Sequence, residues 1–345
     1  MRKTLFASAA LCAFSGAAMA SPSVDVFGTL DLAVRQVNSD PGSLTTVGTN
    51  GASTSKIGIR ADDDLGGGWK GNAWLEAQVD PAAGAAGGSN GTATVFWNRR
   101  STASLLGPFG EVRLGRDYVP TFSAMADFDP FNTNGVGNSL NLINQDSLGS
   151  GVVTQTRANN AVSYFLPEKL GGFYGNVMLT RSGGLPGQKY TGARFGYANG
   201  PLKLQAALGQ TETATSSTPK FKQSNVAVSY NIGVARLVSF VNVNEYDVKK
   251  ATVYMLGAFV PVGADEIHVA FLNRKSSGGG TDANGANQFT LGYLHNFTKD
   301  TTVYANMGRL SNSGGSNFTQ TGGPAAGSRT GFGSTGIEIG YRRFF

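Results

Sequence analysis

The chain has 345 residues with a formal charge of +6, 49 glycines, only 14% charged residues and a single cysteine. So much glycine argues against long helices and for many turns. A mild, dispersed basic excess gives no reason to expect a nucleic-acid partner, and one cysteine rules out a disulfide framework.

The first twenty residues read as a processing segment. Arg2 and Lys3 form a charged start, Leu5 to Ala18 an apolar run, and Ala18-Met19-Ala20 a small-residue cleavage site. A cleaved signal peptide over 1–20 is expected, with the mature domain spanning 21–345. The apolar run is too short for a retained transmembrane helix. Cys12 leaves with it, and no small residue precedes it as a lipoprotein signal would require. Without Arg2 and Lys3, 26 basic residues face 22 acids, a charge of +4.

From Val24 onward the hydrophobic period is two. Val26, Leu30, Leu32 and Val34 alternate with Asp25, Asp31 and Arg35; Ile57 and Ile59 alternate with Lys56, Gly58 and Arg60. Ala73, Leu75, Ala77 and Val79 oppose Asn72, Glu76 and Gln78, and Ile337, Ile339 and Tyr341 oppose Glu338, Gly340 and Arg342. Such alternation marks half-buried strands. Sixteen are expected, over 24–37, 54–63, 69–80, 95–106, 110–117, 157–166, 172–181, 189–198, 201–210, 222–231, 233–244, 250–260, 264–274, 286–297, 300–311 and 333–345. The fourth alternates poorly, and no helical stretch is expected in the mature chain.

Short and long links alternate. Turn-forming sequences such as Asp64-Leu65-Gly66-Gly67-Gly68, Asn199-Gly200-Pro201 and Pro261-Val262-Gly263 trade places with longer Gly/Ser/Thr/Asn-rich links over 38–53, 81–94, 118–156, 182–188, 211–221, 275–285 and 312–332. The link near 245–249 is the short exception. A soluble sandwich has no reason for this asymmetry, whereas a membrane barrel does, with tight periplasmic turns and long outer loops. Strand lengths suit a bilayer crossing of about 9–11 tilted residues, and only closed barrels or helices satisfy their backbone in lipid. Trp69, Tyr164, Phe173, Tyr197, Tyr230 and Tyr341 lie near strand ends, as interfacial girdles would, although β-core aromatics would give the same pattern.

One link stands apart. Between Gly115 and Arg157 some forty residues carry no sustained alternation. From Asp117 to Thr156 they hold no lysine or arginine, yet they include Asp117, Asp127, Asp129 and Asp146. Structureless segments of this length are usually functional or disordered.

Taken in order, several motifs resemble the sixteen-stranded, trimeric general porins of Gram-negative outer membranes, betaproteobacterial type. They are Val24-Asp25-Val26-Phe27-Gly28, Ser55-Lys56-Ile57-Gly58-Ile59-Arg60, Asp63-Asp64-Leu65-Gly66-Gly67-Gly68, Gly115-Arg116-Asp117-Tyr118, Asn160-Ala161-Val162-Ser163-Tyr164 with Leu170-Gly171-Gly172-Phe173, Ala198-Asn199-Gly200-Pro201-Leu202, and a terminal Phe345. The resemblance spans the mature chain. It implies an all-β, sixteen-stranded antiparallel transmembrane barrel whose third loop folds inward, forming a passive, water-filled channel. It further implies a homotrimer surrounded by outer-membrane lipid and lipopolysaccharide, with Phe345 as the signal read by the assembly machinery, and no cofactor.

By position, Lys56, Arg99 and Arg157 match the family's basic wall and Asp129 its acidic loop residue, with Asp127, Arg60 and Arg116 as further members. Parity also puts Lys56 and Arg60 in the lumen opposite Ile57 and Ile59, and Arg157 opposite Val162 and Tyr164, while Arg116 shares parity with Leu114 and could instead tie down a loop. Two departures favour cations: a second loop carboxylate is absent after Asp129-Pro130-Phe131, and Arg99-Arg100-Ser101-Thr102 replaces a more apolar stretch. An anion-preferring pore is therefore expected. A substrate-specific channel, or a barrel serving as adhesin or receptor, are the other readings. His268 and His295 sit on opposite faces, leaving no histidine-based catalytic or metal site to expect, and no loop has ligand spacing suited to Ca²⁺.

Overall fold

The computed structural model describes residues 23–345 apart from 41, 92, 145–146, 184–186 and 214–218. The signal-peptide reading and Asp146 lie outside the described residues. One sheet holds eighteen strands, of which Gly42–Thr49 and Ala85–Ala86 are short arms inside long loops. The other sixteen form the wall. They are β1 (Ser23–Ser39), β2 (Lys56–Gly66), β3 (Trp69–Asp80), β4 (Arg100–Gly107), β5 (Gly110–Tyr118), β6 (Arg157–Phe165), β7 (Phe173–Thr180) and β8 (Tyr190–Asn199), then β9 (Leu202–Glu212), β10 (Lys220–Asn231), β11 (Arg236–Tyr246), β12 (Lys249–Val262), β13 (Asp265–Ser277), β14 (Gly285–Asn296), β15 (Thr301–Ser313) and β16 (Gly333–Phe344).

Each strand pairs antiparallel with its sequence neighbours, and β1 pairs with β16 in register from Thr29↔Phe344 to Ser39↔Ser334. The sheet therefore closes and leaves no edge, which hydrocarbon demands. At the seam Gly28 and Phe345 exchange two backbone hydrogen bonds of 2.8 and 3.1 Å.

The period-two pattern is expressed as an apolar exterior and a polar lining. Val34, Leu208, Val226, Leu256 and Ile339 are exposed outside, while their neighbours Arg35, Gln223, Asn225 and Glu338 are buried inside. Trp69 against Phe109, and Phe173 against Phe195 and Tyr197, gather at the tight-turn end, where a girdle meets the interface. The link between β11 and β12 is only Asp247 and Val248, so the short exception persists.

Two expectations change. The fourth strand begins at Arg100, because residues 96–99 turn. Among the described residues two α-helices exist where none was expected, α1 (Pro120–Ala126) and α2 (Leu140–Ile143). At 7 and 4 residues they are too short to print a helical period. Pro120 opens α1, where its missing N–H costs nothing.

Both helices lie in the long segment between β5 and β6, which folds into the barrel. Its Phe122, Met125, Phe128, Phe131, Leu142 and Ile143 make one apolar core with wall residues such as Met178, Phe240, Met255 and Leu272. Wall amides complete the docking. Gln205 donates to the Ala124 carbonyl (2.6 Å), Asn225 to Thr121 (2.8 Å), Asn244 to Ile143 (3.0 Å) and the Arg274 guanidinium to Leu142 (2.6 Å). The inward loop thus occupies the β7–β16 side of the lumen and leaves open the side walled by β2 to β6.

Candidate functional site: the charged opening beside the inward loop

On the open side, β2 and β3 pair with Gly58 opposite Glu76. That register brings the Glu76 carboxylate between two cations: Lys56 Nζ lies 3.3 Å from one oxygen and Arg99 Nε 2.5 Å from the other. Arg99 is held just before β4, where its backbone N–H donates to the Glu76 carbonyl (3.1 Å). Its guanidinium also donates to the Tyr118 hydroxyl at 2.9 Å. Arg157 donates to that same hydroxyl at 2.6 Å and stacks over the Tyr118 ring, 4.2 Å from its centroid. Two guanidiniums thus share one neutral phenol. Tyr118 in turn stacks on Phe122 of α1, tying the basic group to the loop.

Strand alternation does not carry through to Arg157. A bulge between Ala158 and Ala161, with Asn160 at φ 52°, inserts an extra residue. The resulting register sets Arg157 opposite Tyr118 instead of on the face reached by counting back from Val162. It reaches the group because Tyr118 marks where β5 gives way to the loop.

The other expected members are placed differently. Arg60 stands four residues along β2 from Lys56, roughly 13 Å away, ion-paired with Asp25 (2.8 Å) and Asp62 (2.9 Å). Arg116 keeps Leu114's parity, and its guanidinium donates to the carbonyls of Asn98 (2.7 Å) and Asn90 (3.2 Å) and to the Asn159 side chain (2.7 Å). It fastens the second long loop.

Asp129 is 2% exposed and turned into its own loop. It accepts from the N–H groups of Phe131 (2.9 Å), Thr133 (3.2 Å) and Ser139 (3.3 Å) and from the Ser139 hydroxyl (2.5 Å). Burial raises its carboxyl above the ordinary aspartate range, while these donors pull the other way. Asp127 lies 3.4 Å from both Arg194 and Lys203, on the far wall. A cavity of about 280 Å³ runs past Thr54, Tyr118, Phe122, Asn132, Arg236 and Phe259 along the loop's edge.

The sequence reading assigned none of Glu76, Tyr118, Arg100 and Arg113 to the site, although it noted Arg100 beside Arg99 as a departure that favours cations. Arg100 stacks on Trp74 at 4.3 Å, and Arg113 pairs with Glu111 (2.7 Å) and Asp117 (2.5 Å). Parity alone puts Glu76 in the lumen; the register that sets it beside Lys56 and Arg99 is not written in one strand.

A closed barrel with an inward loop and a wall of paired and unpaired cations is the architecture of a channel. The family model for Gram-negative porins matches residues 7–336. The chain belongs to the Gram-negative porin family. The porin is 37% identical over 366 residues to outer membrane porin protein 32 of Delftia acidovorans, covering all of both chains. It superposes on an anion-selective porin from Comamonas acidovorans with a TM-score of 0.84 and 35% identity, over 94% of this chain and 100% of that one. OmpT of Vibrio cholerae, 15% identical, shares the fold at a TM-score of 0.68 over 94% of this chain and 98% of that one. The protein is thus an outer-membrane porin, a water-filled barrel for passive diffusion of small hydrophilic solutes and ions.

Proposed function

We propose that this porin prefers anions, and that Lys56, Arg99 and Arg157 set the preference at the narrow zone beside the inward loop. The supporting observation is the shared Tyr118 hydroxyl. Arg99 and Arg157 meet at it and Lys56 joins them through Glu76, the one carboxylate paired with these cations among the described residues, while Asp129 is engaged inside its loop and Asp127 with Arg194 and Lys203. Rings of side-chain charge select ions by sign, and a low-dielectric wall strengthens the effect. Arg60, Arg100 and Arg113 extend the basic wall but carry their own carboxylate partners. Arg116 serves the second loop instead of the opening.

The working unit in this reading is a homotrimer in lipopolysaccharide-bearing outer membrane, exported with a signal peptide over 1–20 and delivered by an assembly machinery that reads Phe345. Heating the detergent-solubilised protein on a native gel should convert one trimer band to monomer.

The deciding experiment is the zero-current potential of the purified porin in a planar bilayer under a KCl gradient. The expected sign is that of a chloride-preferring pore; a potassium-preferring sign overturns the proposal.

A further inference from the structure

The opening is bounded by the inward loop, and a second outer loop reaches that loop from above. The link between β15 and β16, expected only as one more long outer loop, sends a limb down into the barrel. Ser316, Phe318 and Gln320 are buried in alternation along it, whereas 327–331 are exposed. Asn312, near the end of β15, sets the limb's course. Its amide donates to the Phe318 carbonyl (2.9 Å), and its side-chain oxygen accepts the Phe318 N–H (3.0 Å).

From there the limb grips the inward loop. The Phe318 ring joins the apolar core that holds Phe131, Leu142 and Ile143, and the Arg274 guanidinium lies 4.5 Å from its centroid. The Thr321 hydroxyl donates to the Asn141 side chain (2.9 Å) and accepts from the Asn138 amide (3.4 Å). Gln320 lies in a slot floored by glycines. Gly308 and Gly336 stand opposite each other on β15 and β16. A Cβ at Gly308 would come within 2.4 Å of Gln320 Nε2, and one at Gly336 within 2.9 Å of its Oε1. The Val136 carbonyl accepts from Gln320 Nε2 at 3.4 Å, while the Val136 N–H is held by Glu338 at 3.1 Å. One backbone group of Val136 is thus held by the wall and the other by the outer loop.

The slot is occupied at a cost. Gln320 Oε1 is buried with no hydrogen-bond partner among the described residues, which a loop that only shields the mouth would have no reason to accept. We propose that Phe318, Gln320 and Thr321 are positioning residues for the channel. The last outer loop is a strut between the outer surface and the inward loop. It holds Val136, Asn138 and Asn141 in place, so that the opening keeps one width.

Single-channel recording in planar bilayers tests the strut. Thr321→Val keeps the side chain's shape and removes its hydroxyl, and Gln320→Ala empties the slot. Each loses about one hydrogen bond, so the fraction of time spent away from the main current level should rise roughly five-fold. Thr321→Ser, which keeps the hydroxyl, should behave as wild type. Gly308→Ala should reproduce Gln320→Ala, because its methyl takes the amide's place while the loop's own sequence is intact. A folded gel band shows that each variant has closed its barrel. Wild-type currents from both Thr321→Val and Gln320→Ala would overturn the proposal, as would equal disturbance by Thr321→Ser and Thr321→Val. Loss of the folded band with unaltered current in the surviving channels would also overturn it, since the limb would then serve stability alone. Ionic preference is read from the zero-current potential, so its failure is distinguishable from failure of the strut.

Discussion

Arg157 is held by the Tyr118 phenol and Arg99 by that phenol together with the Glu76 carboxylate, and that decides how their removal should read. If they only latch the loop, replacing either should add noise without changing ionic preference. If they set the field, Arg99→Ser or Arg157→Ser should raise conductance and move the zero-current potential toward potassium. A unit charge about 8 Å from a passing ion in a water-like dielectric is worth ~0.5 kcal/mol, so each loss should change the permeability ratio roughly two-fold. Glu76→Gln should move the potential the other way, because it frees Lys56 and Arg99 from their shared counter-charge. Opposite signs from neighbouring substitutions are hard to obtain from loop loosening. Sequence alone made Lys56 legible through strand parity. It could not place Arg99, which lies outside regular pairing, and it reached Arg157 by a count that the bulge at Asn160 invalidates.

The inward loop was legible as a gap in alternation, but not the surface that receives it. Part of that surface is a track of lumen-facing glycines on separate strands. A Cβ at Gly257 would come within 2.6 Å of Pro130, one at Gly292 within 2.9 Å of Phe131, and one at Gly336 within 2.7 Å of Val136. At Pro130, Phe131 and Val136 the loop rests where the wall has no side chains. Gly292→Val should push Phe131 toward the opening at an overpacking cost of about 1–3 kcal/mol and lower single-channel conductance; unchanged conductance would mean the loop is not seated there. Further along, Glu338 fixes the same loop. It is fully buried, receives the Val136 N–H (3.1 Å) and the Asn306 amide (2.9 Å), and pairs with Arg35 at 2.7 Å. Glu338→Ala leaves the Arg35 guanidinium unpaired, for which about 3–5 kcal/mol is typical. A lower unfolding temperature together with flickering current is expected. A change in stability alone would separate Glu338 from control of the loop. The contacts between loop and wall join residues more than a hundred positions apart, which no local pattern encodes.

At the scale of the molecule, closure is the property on which the channel depends, and one residue completes it. β16 ends at Phe344, yet Phe345 continues the ladder by exchanging two backbone hydrogen bonds with Gly28, and its ring lies against that glycine. Alternation predicted sixteen strands and hence a closed sheet, but nothing in the pattern says how tightly the first strand meets the last. The seam is unusual because β1 is shared. Its first part pairs with β2 from Ser23 to Thr29, while its second part serves both β16 and the Gly42–Thr49 arm. Gly28 stands where the pairing with β2 gives out and that with β16 begins, and the Phe345 bonds bridge the junction. Two backbone hydrogen bonds contribute about 1 kcal/mol each, and loss of the ring uncovers apolar surface beside them. Deletion of Phe345 from protein refolded in detergent should therefore lower the temperature at which the folded gel band converts to the unfolded one, while leaving the zero-current potential of surviving channels unchanged. Refolding in vitro removes any part played by cellular assembly, so the shift reports the seam itself. An unshifted transition would mean that the β1–β16 register from Thr29 to Ser39 closes the barrel without its last residue.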